Sequence, residues 1–281
     1  MSRHRVLVTG AGGFVGGCLA GRLRQDGDCE IFGTSLREGL QVRACDLSNG
    51  SEAERQLAEI KPTRIYHCAG SFTNDWETDF AANVLAARNI FEAVISLKLS
   101  CRIFLMGSAA EYGWPPPGAV PETTPLRPVS VYGLTKSFQT RLMEYYYHRH
   151  GLDVVMARTF NLFGEGCSPS LFPGRVLGQV KKILAGQASR IKVGPLDSRR
   201  DYLSVSQAVD AYVRIMERGL TGEIYNVGSG VPVKLSDFLA QLLERHGLTM
   251  GVVDISPPVG GDHKGEVTEI HADVSKLDGL A

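Results

Sequence analysis

Short apolar runs alternate along this chain with longer stretches in which apolar positions recur every three or four residues. The runs Arg5–Val8, Cys29–Thr34, Val42–Cys45, Arg64–Ala69, Arg102–Met106 and Val154–Ala157 read as strands. Between them, Phe14–Gln25, Ser51–Glu59, Asp79–Leu97 and Val131–Arg149 read as helices. Such alternation predicts right-handed βαβ crossovers and a parallel sheet with helices on both faces. Past Gly164 the rhythm changes: a Gly/Pro/Ser-rich stretch precedes helix Arg175–Ala185 and strand Arg190–Val193. Asp201–Val205, helix Gln207–Arg218 and strand Glu223–Val227 read as a return to the sheet. Leu235–His246 and Gly251–Asp254 then form a second small αβ piece.

The first strand ends in Thr9-Gly10-Ala11-Gly12-Gly13-Phe14-Val15-Gly16. Strand, tight glycine turn and helix start, in that order, are how a dinucleotide pyrophosphate is held. Gly10 allows the sharp turn and Gly13 lets backbone amides approach the phosphates. Gly16 lets the helix pack closely on its strand. The anion then sits on a helix N-terminus, where unpaired N–H groups favour negative charge. The fold class expected is therefore α/β: a Rossmann-type doubly wound parallel sheet with a smaller, interleaved α/β substrate lobe. Residues 1–162 and 201–228 are assigned to the dinucleotide-binding domain, and 163–200 and 229–281 to the lobe.

Composition narrows the partners. The 281 residues hold 30 basic and 30 acidic side chains, so no excess charge argues for nucleic acid or an anionic membrane. No apolar run approaches the roughly 20 residues of a membrane span. The first strand begins almost at Met1, so no signal peptide is expected. Six scattered cysteines, without a CxxC pair, sit in or beside apolar segments; they read as small buried hydrophobes in a reducing cytoplasm. His148 and His150 lack further ligands nearby in the sequence, and no metal site is expected.

Tyr132 and Lys136 are four residues apart on a predicted helix and share a face. An ammonium beside a phenol is expected to lower the phenol's pKa and ready it for proton transfer. Ser108 follows the strand Arg102–Met106 at its C-terminal end, the edge at which open α/β sheets bind ligands.

With these residues in place the chain resembles an extended short-chain dehydrogenase/reductase acting on nucleotide sugars. The matching stretches are Val8–Gly16, His67–Gly70, Asn83, GSAAEYG from Gly107, Arg127–Lys136, Arg158–Asn161 and Arg200–Tyr202. Within that family it is most similar to GDP-6-deoxy-4-keto-mannose reductases. The resemblance implies that Ser108, Tyr132 and Lys136 are the catalytic triad, with Tyr132 protonating a carbonyl oxygen as hydride arrives. Asn161 and Arg200 then contact the substrate, Arg200 at the sugar-nucleotide pyrophosphate. Gly10, Gly13, Phe14, Val15, Gly16, Leu47, Ala69, Tyr132 and Lys136 contact the cofactor, and Asp46 faces adenine. The resemblance also implies a homodimer, with Tyr145–Tyr147 and Asp79–Leu97 at its seam. Where relatives carry a further phosphate-binding arginine, this chain has Asp262–Glu266, in which His263 or Lys264 stands in. At Ala281 it stops short of the family's last turn and helix.

Two absences narrow the reaction. Family 4,6-dehydratases carry an acidic pair just after the catalytic Ser/Thr, and GDP-fucose synthases a cysteine at the second place. Here those places hold Ala109 and Ala110, which transfer no protons. A C4-keto reductase or a 4-epimerase remains. The second strand runs into Ser35 and Arg37, with no carboxylate before Glu38. A hydroxyl and a guanidinium suit the 2′-phosphate of NADP. NADPH is thus expected ahead of NAD, and a GDP-linked sugar as the substrate. An NAD-dependent epimerase is the alternative, and a non-catalytic NADP sensor a third reading.

Overall fold

The computed structural model describes residues 4–25, 27–257 and 268–280. Strand β1 (His4–Thr9) turns at Gly10 into helix α1 (Phe14–Gln25), followed by β2 (Cys29–Ser35) and β3 (Val42–Ala44). Asn49 opens α2 (Gly50–Ile60), its side-chain oxygen accepting the Ser51 and Glu52 amides. After β4 (Arg64–His67), the expected single helix 79–97 starts earlier, as α3 (Trp76–Phe80) capped by Asp75. It widens into one π turn (Ala81–Leu85) before continuing as α4 (Ala86–Ser96). Strand β5 (Arg102–Ser108) runs two residues past its apolar stretch, and β6 (Ala119–Val120) precedes the long α5 (Val131–His150). Gly151, with φ of 66°, ends α5.

Strands β7 (Val154–Thr159) and β8 (Asn161–Phe163), helix α6 (Phe172–Leu184) and strands β9 (Ile191–Val193) and β10 (Arg199–Ser204) follow. Then come α7 (Val205–Arg218), β11 (Ile224–Val227), β12 (Pro232–Lys234) and α8 (Leu235–Glu244). The described chain closes with β13 (Val253–Ile255), β14 (Glu269–Ala272) and α9 (Ser275–Asp278).

Seven parallel strands form the main sheet in the order β11-β7-β5-β4-β1-β2-β3. Successive residues serve opposite faces. Val6, Val8, Tyr66 and Phe104 pack with α1 and α7, whereas Leu7, Ile65 and Ile103 pack with α2, α4 and α5. Burial on both sides is why these strands read as unbroken apolar runs. The strand order reverses at β1, and the crevice that such a reversal leaves above the strand ends is where ligands bind.

One expectation is corrected. The stretch Asp201–Val205 does not return to the main sheet: β10 pairs with β8, β12 and β14 in a separate small sheet. Its two apolar residues are adjacent and serve opposite faces: Tyr202 stacks on Phe238 of α8 at 3.8 Å, and Leu203 packs with the core on the α1 and α7 side. The return is made by α7 and β11. The αβ piece at the end pairs β13 with β9. The stretch Asp262–Glu266 lies outside the described residues.

Candidate active site

A large cleft of about 1030 Å³ opens above the C-terminal ends of β1, β4 and β5. Gly10, Gly13, Phe14 and Val15 form its floor on one side. Gly10 has φ of +67°, and a Cβ there would lie 2.8 Å from the Ala69 amide nitrogen. A Cβ on Gly16 would lie 2.3 Å from the Gly10 carbonyl oxygen. Side chains are thus excluded where backbone must approach backbone. The first turn of α1 carries no acidic residue, leaving its amide end open to an anion. Thr34, Ser35, Leu36, Asp46 and Leu47 extend the cleft along β2 and β3, and Ala69 to Thr73 close its middle. A glycine turn with an open helix end, followed by a long cleft past Asp46 and Ala69, fits a nicotinamide dinucleotide. Bound there, such a cofactor supplies a hydride.

Ser108 and Tyr132 face each other in the cleft at the end of β5. Ser108 terminates β5 and its hydroxyl accepts the Ala110 amide at 3.2 Å, which opens the short turn Ala109–Glu111. Tyr132 sits in the first turn of α5, capped by Ser130. The Phe72 ring meets the Tyr132 ring edge-on, centroids 4.7 Å apart. Asp79 holds the Phe72 loop by accepting from the Thr73 amide and hydroxyl and the Asn74 amide, at 2.8–3.0 Å. Asn83, on the π turn, accepts from Ser71 and donates to Thr135.

The electrostatics differ from expectation. Burial pushes the Tyr132 phenol up to about 12, opposed by a hydrogen bond with Ser108. The Lys136 amine does not bond the phenol; it donates to the Met106 carbonyl at 2.8 Å and to Gln139 at 3.1 Å. Desolvation lowers Lys136 to about 8. The expected lowering of the phenol by its lysine is therefore absent here: burial raises the phenol, and the ammonium is bonded to Met106 and Gln139 instead. Tyr132 stays protonated at neutral pH and remains a stronger acid than an aliphatic alcohol. It is a proton donor before it is a base. Burial drives His67 down to about 3 and Cys68 up to about 12. The one is neutral and the other protonated near pH 7.

Asn161 and Arg200 also line the cleft, beside Ser168, Ser170 and the start of α6. Asn161 donates to the Asp201 carbonyl at 3.0 Å, and Arg200 donates to the Arg199 carbonyl at 2.8 Å. Gly16, Arg37 and Lys136 are the expected site residues that do not line it. Gly16 packs α1 on its strand, Lys136 lies behind Met106, and Arg37 is exposed beyond Leu36. Glu111 is a functional candidate that the sequence reading quoted without a role. It is fully buried and paired with Arg158 at 3.1 Å. Its partners come from three separate elements, and no local spacing announces them. Among the described residues, no group of three or more His, Cys, Asp or Glu side chains could hold a metal. All six cysteines are free thiols.

A glycine-turned dinucleotide cleft ending at a Ser/Tyr pair, with a lysine behind it, defines a nicotinamide-dependent enzyme of the extended short-chain dehydrogenase/reductase class. The chain belongs to the NAD dependent epimerase/dehydratase family, whose model matches residues 6–228. It is 28% identical over 245 residues to the GDP-6-deoxy-D-talose 4-dehydrogenase of Aggregatibacter actinomycetemcomitans, covering 85% of this chain and 79% of that one. It is 29% identical over 244 residues to the UDP-glucose 4-epimerase of Mycolicibacterium smegmatis, covering 81% and 78%. RMD from Pseudomonas aeruginosa, solved with NADPH, shares the fold, with a TM-score of 0.85 at 24% identity, covering 99% and 91%. No helix among the described residues is long and apolar enough to cross a membrane.

Proposed function

We propose that this enzyme uses NADPH to reduce the C4 ketone of a GDP-6-deoxy-4-keto-hexose or a close nucleotide-sugar relative. The observation that carries the reading is the wall beside the Ser108/Tyr132 pair. Ala109 and Ala110 line the cleft there, and the carboxylate among the described lining residues, Asp46, lies at the β3 end. One proton-transfer pair without a second acid or base suits hydride and proton delivery to a single carbon. Ser108 orients the ketone oxygen, Tyr132 gives it a proton, and Lys136 stays charged behind them. Asn161 and Arg200 hold the nucleotide end, where a planar fork of donors suits a diphosphate. The 6-deoxy-talose relative acts, by its name, at the same carbon of a GDP-linked sugar. In this reading the main sheet holds the cofactor and the small sheet with α6 and α8 holds the sugar nucleotide. Exposed Trp76, Phe138 and Tyr145 on α3 and α5 support a homodimer seam on that face; light scattering tests it.

A panel of GDP-, dTDP-, UDP- and CDP-linked 4-keto sugars, assayed for NADPH consumption with product NMR, tests the activity. Reduction of none of them overturns it. The NAD-dependent 4-epimerase is kept as a second reading because Arg37 does not line the cleft and because one relative carries that name. Retained NAD with no net cofactor consumption would favour it. Arg37→Ala separates the two. If Arg37 swings onto the 2′-phosphate, its loss weakens NADPH binding roughly tenfold, the worth of one charge-assisted hydrogen bond, and spares NADH. Equal binding of NADPH before and after the change would remove Arg37 from the cofactor's partners.

A further inference from the structure

Beneath the catalytic edge, out of reach of any substrate, Glu111 makes an unusual set of bonds for a buried acid. One oxygen, Oε1, accepts the Ser108 amide at 2.8 Å. The other, Oε2, accepts the Thr140 hydroxyl at 2.6 Å and Arg158 Nε at 3.1 Å. Every partner is a donor, so the group is held as a carboxylate although burial pushes its pKa up. Thr140 lies one helical turn beyond Lys136 on the same face of α5. A Cβ on Gly107 would come within 2.8 Å of Oε1, and the preceding carbonyl, Met106, accepts from Lys136. The carboxylate thus touches the catalytic serine through its amide and the catalytic lysine's helix through Thr140.

We propose that Glu111 is a positioning residue for the reduction, fixing Ser108 at the end of β5 and supplying the buried negative charge that keeps Lys136 an ammonium. The proposal rests on the reading of Ser108, Tyr132 and Lys136 as the reacting set. The other groups facing Lys136 do less for its charge. Met106 and Gln139 are neutral acceptors, Tyr132 is a neutral phenol and His67 is neutral. Cys68 is a thiol, and Asp79 is a second anion that supports the amine less than Glu111 does. Arg158, paired with Glu111, is not among the groups that move the Lys136 amine, whereas Glu111 leads those that raise it. Once Tyr132 has given up its proton, a charged lysine behind it stabilises the phenolate left behind. A neutral amine does not.

The titration of Lys136, followed by its ¹³Cε resonance in lysine-labelled protein and assigned with K136R, reads this without any substrate. Failure of keto-sugar reduction is therefore a separate result. In E111Q the amine should lose its proton at least tenfold more readily than in the native protein, and the alkaline limb of kcat should move down with it. In T140V, which removes one bond to the carboxylate but leaves its pairing with Arg158 and so its charge, it should not. A purely structural role predicts matching effects from the two changes. Should E111Q not fold because Arg158 is left as a lone buried cation, the double change E111Q/R158Q removes that cation, and its Lys136 must then still titrate lower than in the native protein. Unchanged titration of Lys136 on loss of Glu111 overturns the proposal, as does an equal fall in T140V.

Discussion

Replacing Tyr132 by Phe should lower kcat/KM for keto-sugar reduction by about 10³-fold while leaving NADPH affinity within roughly twofold. Loss of a positioned general acid costs 10²–10⁴ in rate, and 10³ is about 4 kcal/mol of barrier. Little structural damage accompanies the change, since the ring keeps its edge-on contact with Phe72 and only the hydroxyl facing Ser108 is lost. Steady-state kinetics beside a fluorescence titration of NADPH separate the two quantities. Turnover near the native rate would show that the proton comes from elsewhere, and the assignment of the site would fall. The direction of the phenol's shift adds a second expectation. A group held up to about 12 is fully protonated through neutral pH, so Tyr132 should put no alkaline limb on reduction in that range. The reverse oxidation, which needs the phenolate, should quicken as pH rises.

Gly10→Ala should weaken NADPH binding by 10²-fold or more. A left-handed alanine costs roughly 1–2 kcal/mol by itself. The added methyl would also stand 2.8–3.0 Å from the backbone of Cys68 and Ala69, neither of which is a yielding side chain. The turn must then move away from β4, and the amides of Phe14 and Val15 would leave the position proposed for them at a diphosphate, together with the Gly13-to-Gly10 bond that shapes the turn. Isothermal titration with NADPH measures the loss, and a circular dichroism melt shows whether the sheet survives. Native affinity in the variant would mean that the diphosphate is held somewhere other than this turn.

The main sheet could be read from the chain because its strands are buried on both faces and its helices are long. Val6 to Val8 and Ile103 to Leu105 announce themselves as apolar runs, and the glycine turn fixes which end of the sheet holds the ligand. The small sheet could not be read so well. Strands β6, β8 and β14 have two to four residues, too few for a period to show. Strand β10 reads as part of the main sheet because its short buried run, Asp201 to Leu203, resembles the main-sheet strands, and a strand's own residues do not name its neighbours. At the site, Ser108 and Tyr132 were legible as a strand end and a helix start. The state of Lys136 was not, since it depends on Met106, Gln139 and Glu111, which only the fold brings together. Arg37 carries the right chemistry for a 2′-phosphate, yet it projects past Leu36, and no pattern in the sequence tells which loop residue turns inward.

Asp201 ties the last described strand to the small sheet, the side proposed to hold the sugar nucleotide. Its buried carboxylate accepts from the Ser229 amide and hydroxyl, the Gly230 amide and, across the small sheet, the Ala272 amide of β14. Strand β14 in turn lies parallel to β10, opposite Arg200. A chain cut before Thr268 would forfeit that tether while all seven strands of the main sheet stay in the chain, losing the Leu277 cover of their core. Such a fragment should go on capturing dinucleotide after it has lost its grip on sugar nucleotide, so the two halves of the cleft would fail one after the other.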